Sequence, residues 1–284
     1  MADSKILVTG ATGNVGSALL PLLQSDISRV IAGSTHGHAV GTTPGRKIDF
    51  NEPAQLAGAF ADIDIAFIVI PLHPNMVQMG ANVAMAAKSA GVKHLIRVSG
   101  AGADPASPFA VGRVQGETDR YLIESGIPTT LLRPKNFMQN FSNFLASMIK
   151  HGSFYSSQGE GMIPFIDVRD IAAVAAEVLK NPSAHAGQAY VLTGAEPLTN
   201  RDALNLISKA IGRTIDLIDI PEEAAVKSMR DTGMPEFVVE VMSSLNQVIA
   251  AGYVAELTDT VERTTGHKPR SFNDYVKEYA DVWR

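Results

Sequence analysis

From the start of the chain to about residue 132, short apolar runs of strand length take turns with longer stretches in which apolar residues recur every three or four positions. The runs at 6–8, 29–32, 47–50, 63–70, 94–98 and 129–132 predict six strands. The runs at 6–8 and 63–70 do not alternate apolar with polar, which suits strands covered on both faces, as in a parallel sheet. Helices are predicted between them at 15–24, 53–60, 76–90 and 110–124. In the third of these, Met76, Met79, Val83, Ala86, Ala87 and Ala90 share one stripe, and Gly91 stands where a helix commonly ends. This rhythm predicts an α/β protein with a doubly wound, parallel Rossmann sheet and the 6–8 strand at its centre.

Past Pro134 the pattern changes. Phe137, Phe141, Phe144 and Met148 fall at helical spacing, and Gly152, Gly159 and Gly161 punctuate a hairpin-like stretch. An alanine-rich helix at 171–179, capped by Asp170, precedes a strand at 188–192 that returns to the sheet. Thr199 or Asn200 caps a further helix. The remainder reads as helical, with turns at Gly212 and around 233–235. The expected division is therefore a Rossmann domain from 1–134 and 166–194. Residues 135–165 and 195–284 form a smaller, mostly helical substrate-binding lobe over the carboxyl edge of the sheet.

Composition narrows the field of functions. The 284 residues are 45% hydrophobic with a formal charge of −5, and no basic run is present to track a phosphate backbone, so nucleic acid is not an expected partner. Cysteine is absent, which removes disulfides, thiol catalysis and thiolate metal sites and agrees with a reducing compartment. No apolar run reaches the ~18 residues of a membrane helix. The reading is a cytoplasmic protein with a small-molecule substrate, a homo-oligomer being left open.

Candidate chemistry begins at KILVTGATGNVG, where a strand breaks into Gly10, Gly13 and Gly16 and then opens a helix. A glycine-spaced turn between a strand and a helix N-terminus is a place for a pyrophosphate, because backbone N–H groups and the helix dipole both face it. Other ligand-facing residues should follow the remaining strands: Ser34, Thr35 and His36; Asp49 and Phe50; Ile70, Pro71, Leu72 and His73; Ser99 and Gly100; then Pro134, Asn136 and Phe137. NAD-specific sites usually place a carboxylate after the second strand, and here Ser34, Thr35 and His36 stand instead, which favours NADPH over NADH. Arg46 and Lys47 begin the third predicted strand and so belong at the opposite sheet edge. His36 and His38 lack a third ligand nearby, so no metal is expected.

A reductase of the short-chain type uses a Tyr with a Lys four residues later. Here the residues four beyond the six tyrosines are Ser125, Gly159, Gly194, Leu257, Tyr279 and Trp283, so the pair is missing. In the 110–124 helix Arg113, Glu117, Asp119, Arg120 and Glu124 read mostly as a solvated face. Gln115 is either an inward group for the substrate or a surface glutamine.

Together the segments VTGATGNVG, RVSGAGAD, LRPKNFMQN and FIDVRDIAAVAAEVL resemble the NmrA-like branch of the atypical short-chain dehydrogenase/reductase family, along nearly the whole chain. The likeness is strongest to the subgroup with triphenylmethane reductase and NADPH:quinone oxidoreductase type 2. It implies that Gly10, Thr12, Gly13, Asn14, Val15 and Gly16 hold the pyrophosphate of NADP and that residues 134–137 lie beside the nicotinamide. Two departures are the lack of an arginine after the second strand and Lys135 at a place usually small or apolar. Lys135 either meets a developing anion in the site or packs its stem on the loop with its amine in water. His73, Phe137, Met138 and Phe141 are candidates for acceptor contact. Two functions follow: hydride transfer from NADPH to a quinone-like or aromatic acceptor under an apolar lid of Phe137, Phe141, Phe144 and Met148, or a non-catalytic NADP(H)-binding redox sensor acting through a protein partner.

Overall fold

The computed structural model describes residues 4–23 and 29–284. Strand β1 (Ile6–Thr9) leads into α1 (Asn14–Leu23), followed by β2 (Val30–Ser34), β3 (Gly45–Lys47), α2 (Pro53–Phe60) and β4 (Ile65–Val69). Next come α3 (Met76–Ser89), β5 (His94–Val98), α4 (Ala110–Glu124) and β6 (Thr129–Pro134). The chain continues through α5 (Gln139–Ser142), α6 (Ala146–His151), β7 (Ser153–Ser156), α7 (Val168–Lys180), β8 (Ala189–Leu192) and α8 (Asn200–Ile211). It ends with β9 (Asp216–Asp219), α9 (Glu222–Asp231), α10 (Glu236–Ala250), α11 (Thr260–Thr265) and α12 (Phe272–Tyr279). Two compact units result, the first from Met1–Pro108, Gly112–Arg133 and Ile171–Val191, the second from Phe109–Val111, Pro134–Asp170 and Leu192–Arg284.

The first unit is a doubly wound Rossmann sheet of seven strands in the order β3-β2-β1-β4-β5-β6-β8, with parallel pairing from β3 through β6. The order reverses between β1 and β4, the crevice where such sheets take their ligands. β4 holds the geometric middle, where β1 was expected, although β1 is buried along its length. The ends of these two strands are joined by the Val69 N–H, which donates to the Thr9 hydroxyl at 2.9 Å.

β2 runs two residues further than its apolar run, to Ser34, and this moves β3 to 45–47 instead of 47–50. The Ala32 N–H takes the Pro44 carbonyl and the Ile48 N–H takes that of Ser34, so the register is set by β2. The predicted end of α1 at Gln24 lies outside the described residues. α2, β5 and α4 match their expected spans, and Gly91 sits after α3 with φ 74°.

The second unit has its own core, in which Phe141 packs edge-on against Phe165 and Phe272, with Tyr275 and Trp283 beside them. Three expectations fail here. The stripe at 137–148 is not one helix, because Asn143 (φ −104°, ψ −110°) breaks it into α5 and α6. The glycine-punctuated stretch is no hairpin: β7 pairs in parallel with β9, a strand hidden in a tail read as helical. Asp170 does not cap α7, which starts at Val168. Asp167 precedes that helix and accepts the Arg169 N–H, while Asp170 takes the Arg270 N–H and pairs with its guanidinium. Thr199 does cap α8, in a reciprocal box with Asp202.

Trp283 is fully buried, and its indole N–H donates to the Phe141 carbonyl at 2.8 Å. Replacing it by Phe keeps most of the packing and strands that carbonyl. Trp283→Phe is therefore expected to lower unfolding free energy by about 1–3 kcal/mol in urea denaturation.

Candidate active site

At the carboxyl end of β1 the chain turns through Gly10 (φ 62°), a conformation costly for residues with a Cβ. The Gly13 N–H closes the turn on the Gly10 carbonyl at 2.9 Å, and the Ala11 N–H ties it to Gly33 of β2 at 3.0 Å. A Cβ on Gly16 would lie 2.2 Å from the Gly10 carbonyl oxygen, so α1 approaches the turn as closely as two backbones allow. Thr12, Gly13 and Asn14 are exposed there, whereas Val15 and Gly16 are buried and offer a ligand only backbone. The first N–H groups of α1 precede any acceptor within the helix and face the turn.

The neighbouring strand ends are equally defined. The Ser34 hydroxyl accepts the Gly37 N–H at 3.1 Å, and the exposed Thr35 and His36 lie between them. His36 and His38 stack with ring centres 6.1 Å apart. No group of three His, Cys, Asp or Glu placed to hold a metal occurs among the described residues. Arg46 and Lys47 require a correction. The register sets Lys47 level with Ser34, at the carboxyl edge, and Lys47 is exposed. Arg46 is held elsewhere, donating to the Ala59 and Ala61 carbonyls at the end of α2 at 2.9 and 3.0 Å.

Asp49 and Phe50 follow β3. The Asp49 carboxylate accepts the Asn51 N–H at 2.9 Å, and the Phe50 carbonyl accepts Asn82 Nδ2 at 2.9 Å. After β4, Ile70 is buried and Pro71 and Leu72 are exposed. His73 takes the Asn75 N–H on Nδ1 at 3.0 Å and so shapes the entry to α3.

The 110–124 helix holds the main surprise. Asp119, read as solvated, is 2% exposed and forms ion pairs with the fully buried Arg97 of β5 and with Arg133 of β6 (3.0 Å). The Ser99 hydroxyl donates to the same carboxylate at 2.9 Å. Burial, then the nearby Arg133, press the Arg97 guanidinium down to about 9, which leaves it protonated at neutral pH. Gln115 is likewise not free to present its carbonyl, which accepts Arg97 Nη2 at 2.8 Å, and its stem lies over Gly100. Two cations therefore share one buried carboxylate, and periodicity could not reveal this because the partners lie on separate strands. The one sequence signal was Arg97 itself, a charge inside an otherwise buried strand.

In the second unit, Pro134 is buried, and the Lys135 N–H donates to the Leu192 carbonyl at 3.0 Å. Burial draws the half-buried Lys135 ammonium below its ordinary value, with Glu256 opposing. Phe137 forms an isolated parallel bridge with Ile166, and Met138 is core. The expected substrate lobe contains a cavity of about 610 Å³ whose lining all comes from this unit, and Phe141, Phe144 and Met148 of the four expected lid residues line it. Phe141, Phe144, Leu145 and Met148 form one wall with Asn136 and Asn140, and α9 and α10 supply Met229 and Met242. Of the four predicted acceptor contacts only Phe141 lines it.

A doubly wound Rossmann protein with a glycine turn at its switch point is the class these features define. A family model described as the NmrA-like family matches residues 2–282, and the chain belongs to that family. The NAD(P)H azoreductase of Xenophilus azovorans is 38% identical over 285 residues, 97% of this chain and 98% of that protein. Quinone oxidoreductase 2 of Escherichia coli (strain K12) is 25% identical over 293 residues, covering 98% and 99%. Among solved structures, Citrobacter sp. triphenylmethane reductase complexed with NADP(H) aligns with a TM-score of 0.83 at 25% identity, covering 97% of this chain and all of that one (100%). No helix among the described residues is long and apolar enough to cross a membrane.

Removing the shared carboxylate leaves two arginines facing each other in the interior. Asp119→Asn is expected to cost about 3–5 kcal/mol by thermal or chemical denaturation, and the paired replacement Arg97→Met with Asp119→Leu to cost less than Asp119→Asn alone.

Proposed function

We propose that this chain is an NAD(P)H-dependent oxidoreductase that reduces a small aromatic or quinone-like acceptor without a Tyr–Lys pair. The observation that carries the reading is the 10–16 turn, where a side chain at Gly16 would collide with the Gly10 carbonyl and the exposed backbone is left for phosphate oxygens. The residues present fit a dinucleotide. Gly10, Thr12, Gly13, Asn14, Val15 and Gly16 hold the pyrophosphate. Ser34, Thr35 and His36 meet the adenosine ribose, with Asp49, Phe50, Ile70, Pro71 and Leu72 on the flanking strand ends. Ser99, Gly100, Pro134, Asn136 and Phe137 serve the nicotinamide. NADPH, when bound, supplies the hydride.

The acceptor belongs in the cavity of the second unit, where aromatic and methionine side chains exclude water. A quinone that gains one hydride becomes an oxyanion, and one proton from water completes the hydroquinone, so a tyrosine acid is not required. Lys135 is not on that lining but directly precedes the lining residue Asn136, and its half-buried charge is assigned to an anion forming at that edge. Gln115 has its carbonyl held by Arg97, so it would offer an acceptor only its Nε2 donor.

Purified protein with saturating NADPH is expected to consume nicotinamide absorbance when offered quinones or azo and triarylmethane dyes. Absence of turnover with every acceptor would overturn the reading. Lys135→Met should reduce kcat/KM by roughly 10- to 100-fold with the NADPH dissociation constant unchanged.

Cofactor choice has its own basis. No carboxylate follows β2, and the exposed Lys47 stands level with Ser34, so a 2′-phosphate meets hydroxyls, an imidazole and a cation. NADPH should bind at least about tenfold more tightly than NADH. Titrations of both cofactors at fixed salt are expected to show the ratio shrink in Lys47→Met and reverse in Ser34→Asp. A wild-type protein that prefers NADH would show that this loop does not face the ribose.

A further inference from the structure

Strand β5 ends at Ser99 and Gly100, the place proposed above for the nicotinamide and therefore the place from which a hydride departs. The Ser99 hydroxyl is buried and donates to Asp119, so it is turned away from a ligand. Gln115 of α4 lies against Gly100 instead: a Cβ added to that glycine would stand 3.4 Å from Gln115 Cγ and 3.9 Å from its Nε2. The loop after β5 is fixed on the same helix. The Asp104 N–H donates to the Gly112 carbonyl at 3.1 Å, and a Cβ on Gly116 would lie 2.2 Å from the Asp104 carbonyl carbon.

A buried charge holds the Gln115 amide. Gln115 and Asp119 stand four residues apart and share a face of α4, and Arg97 is gripped by both. Arg97 Nη1 pairs with the Asp119 carboxylate and reaches the Gln115 main-chain carbonyl at 3.3 Å, while Nη2 donates to Gln115 Oε1 at 2.8 Å. A guanidinium only donates, so the amide cannot turn round: its oxygen stays on Arg97. Gln115 Nε2 has no partner among the described residues and is not enclosed. Asp119 divides its charge between Arg97 and Arg133 (3.0 Å), so it does not neutralise Arg97 alone. A charged donor on the amide oxygen draws electron density through the group and makes its N–H a stronger donor.

We infer that Gln115 is a catalytic residue of the reductase proposed above, its Nε2 donating to the acceptor atom on which charge develops, and that Arg97 is the positioning residue that holds its amide in that orientation. This role rests on the reductase reading for its reaction. The hydride leaves a C–H bond of NADPH, giving NADP⁺, and bonds to the acceptor. The acceptor's π electron pair moves to its oxygen or nitrogen, and a proton from water neutralises the anion. A fixed donor aimed at that atom favours the anion over the neutral ground state. The cofactor's own carboxamide is the poorer fit, because it brings N–H groups and the Gln115 carbonyl is turned to Arg97.

Three variants of the full chain separate this role from a structural one. Gln115→Glu keeps an oxygen for Arg97 and removes the donor, Gln115→Leu removes both, and Arg97→Lys keeps a charge beside Asp119 but cannot fork between the two Gln115 oxygens. An amide that only packs would make Gln115→Glu resemble wild type and Gln115→Leu the worse of the two. A donor gives the reverse order: kcat/KM falls by several hundredfold in Gln115→Glu, about a hundredfold in Gln115→Leu and about tenfold in Arg97→Lys, with NADPH affinity within about threefold of wild type. Circular dichroism checks the fold, and the two Gln115 variants decide the matter if Arg97→Lys does not fold. Binding is read separately with para-nitrophenol, whose phenolate absorbs visible light. With NADP⁺ present, wild type is expected to bind the phenolate about tenfold more tightly than the phenol, and both Gln115 variants to lose that preference. Gln115→Glu with wild-type kcat/KM, or a loss confined to NADPH affinity, would overturn the inference and leave the reductase reading standing. A wild type without turnover, whose phenolate preference is present and is lost in both variants, would overturn the reductase reading and leave Gln115 an anion-binding donor.

Discussion

The approach of helix α1 to the turn before it is the constraint on which the first unit depends. Gly16 lies so near the Gly10 carbonyl that no side chain fits, and this closeness fixes where the helix axis points. The turn is held on both sides, by Ala11 to Gly33 of β2 and by the Thr9 hydroxyl to Val69 of β4. Both neighbours of β1 thereby define the position of the helix N-terminus. A turn made from backbone has no side chain to rearrange, so its geometry is as rigid as the sheet that carries it.

The two units fix their polar groups by different means. In the first, backbone N–H groups and a helix dipole serve at one strand end, and farther along the sheet a carboxylate locks two arginines in place. In the second, neutral side chains do the work, and the amides that line the cavity are oriented by bonds to one another. The first arrangement favours negative charge at a defined point. The second has no charged side chain on its lining.

How far the sequence revealed this depends on the range of the interactions involved. Local patterns were legible: the continuous apolar runs of β4 and β5, the stripe of α3 with Gly91 after it, the span of α4, the Thr199 cap and the glycine turn all depend on residues within a few positions of one another. What failed was long-range. Asp119 was read as solvated because a helix surface pattern cannot show that strands β5 and β6 each present it with a guanidinium. Lys47 was sent to the wrong edge because β3 takes its register from β2. Strand β9 was hidden because four residues with two aspartates look like loop until β7 supplies a partner some sixty positions earlier. The apolar wall of the cavity was legible in Phe141, Phe144 and Met148, whereas its polar side was not, since Asn200, Gln158 and Asn246 become neighbours only in three dimensions. The break at Asn143 is different in kind, a local backbone conformation that the apolar spacing of Phe141, Phe144 and Met148 masked.

The path of the chain through the two units has a consequence for how this protein can vary. It leaves the first unit at Arg133, builds α5, α6 and β7 of the second, returns for most of α7 and for β8, and departs again at Leu192. Neither unit is therefore a contiguous cassette. A recombination event that exchanges one stretch of sequence would replace part of the glycine-turn scaffold together with part of the second unit's cavity, or split that cavity between two parents. Changes to the cavity wall in such a lineage should then accumulate by point substitution, at positions such as Met229 on α9, instead of by shuffling of whole modules.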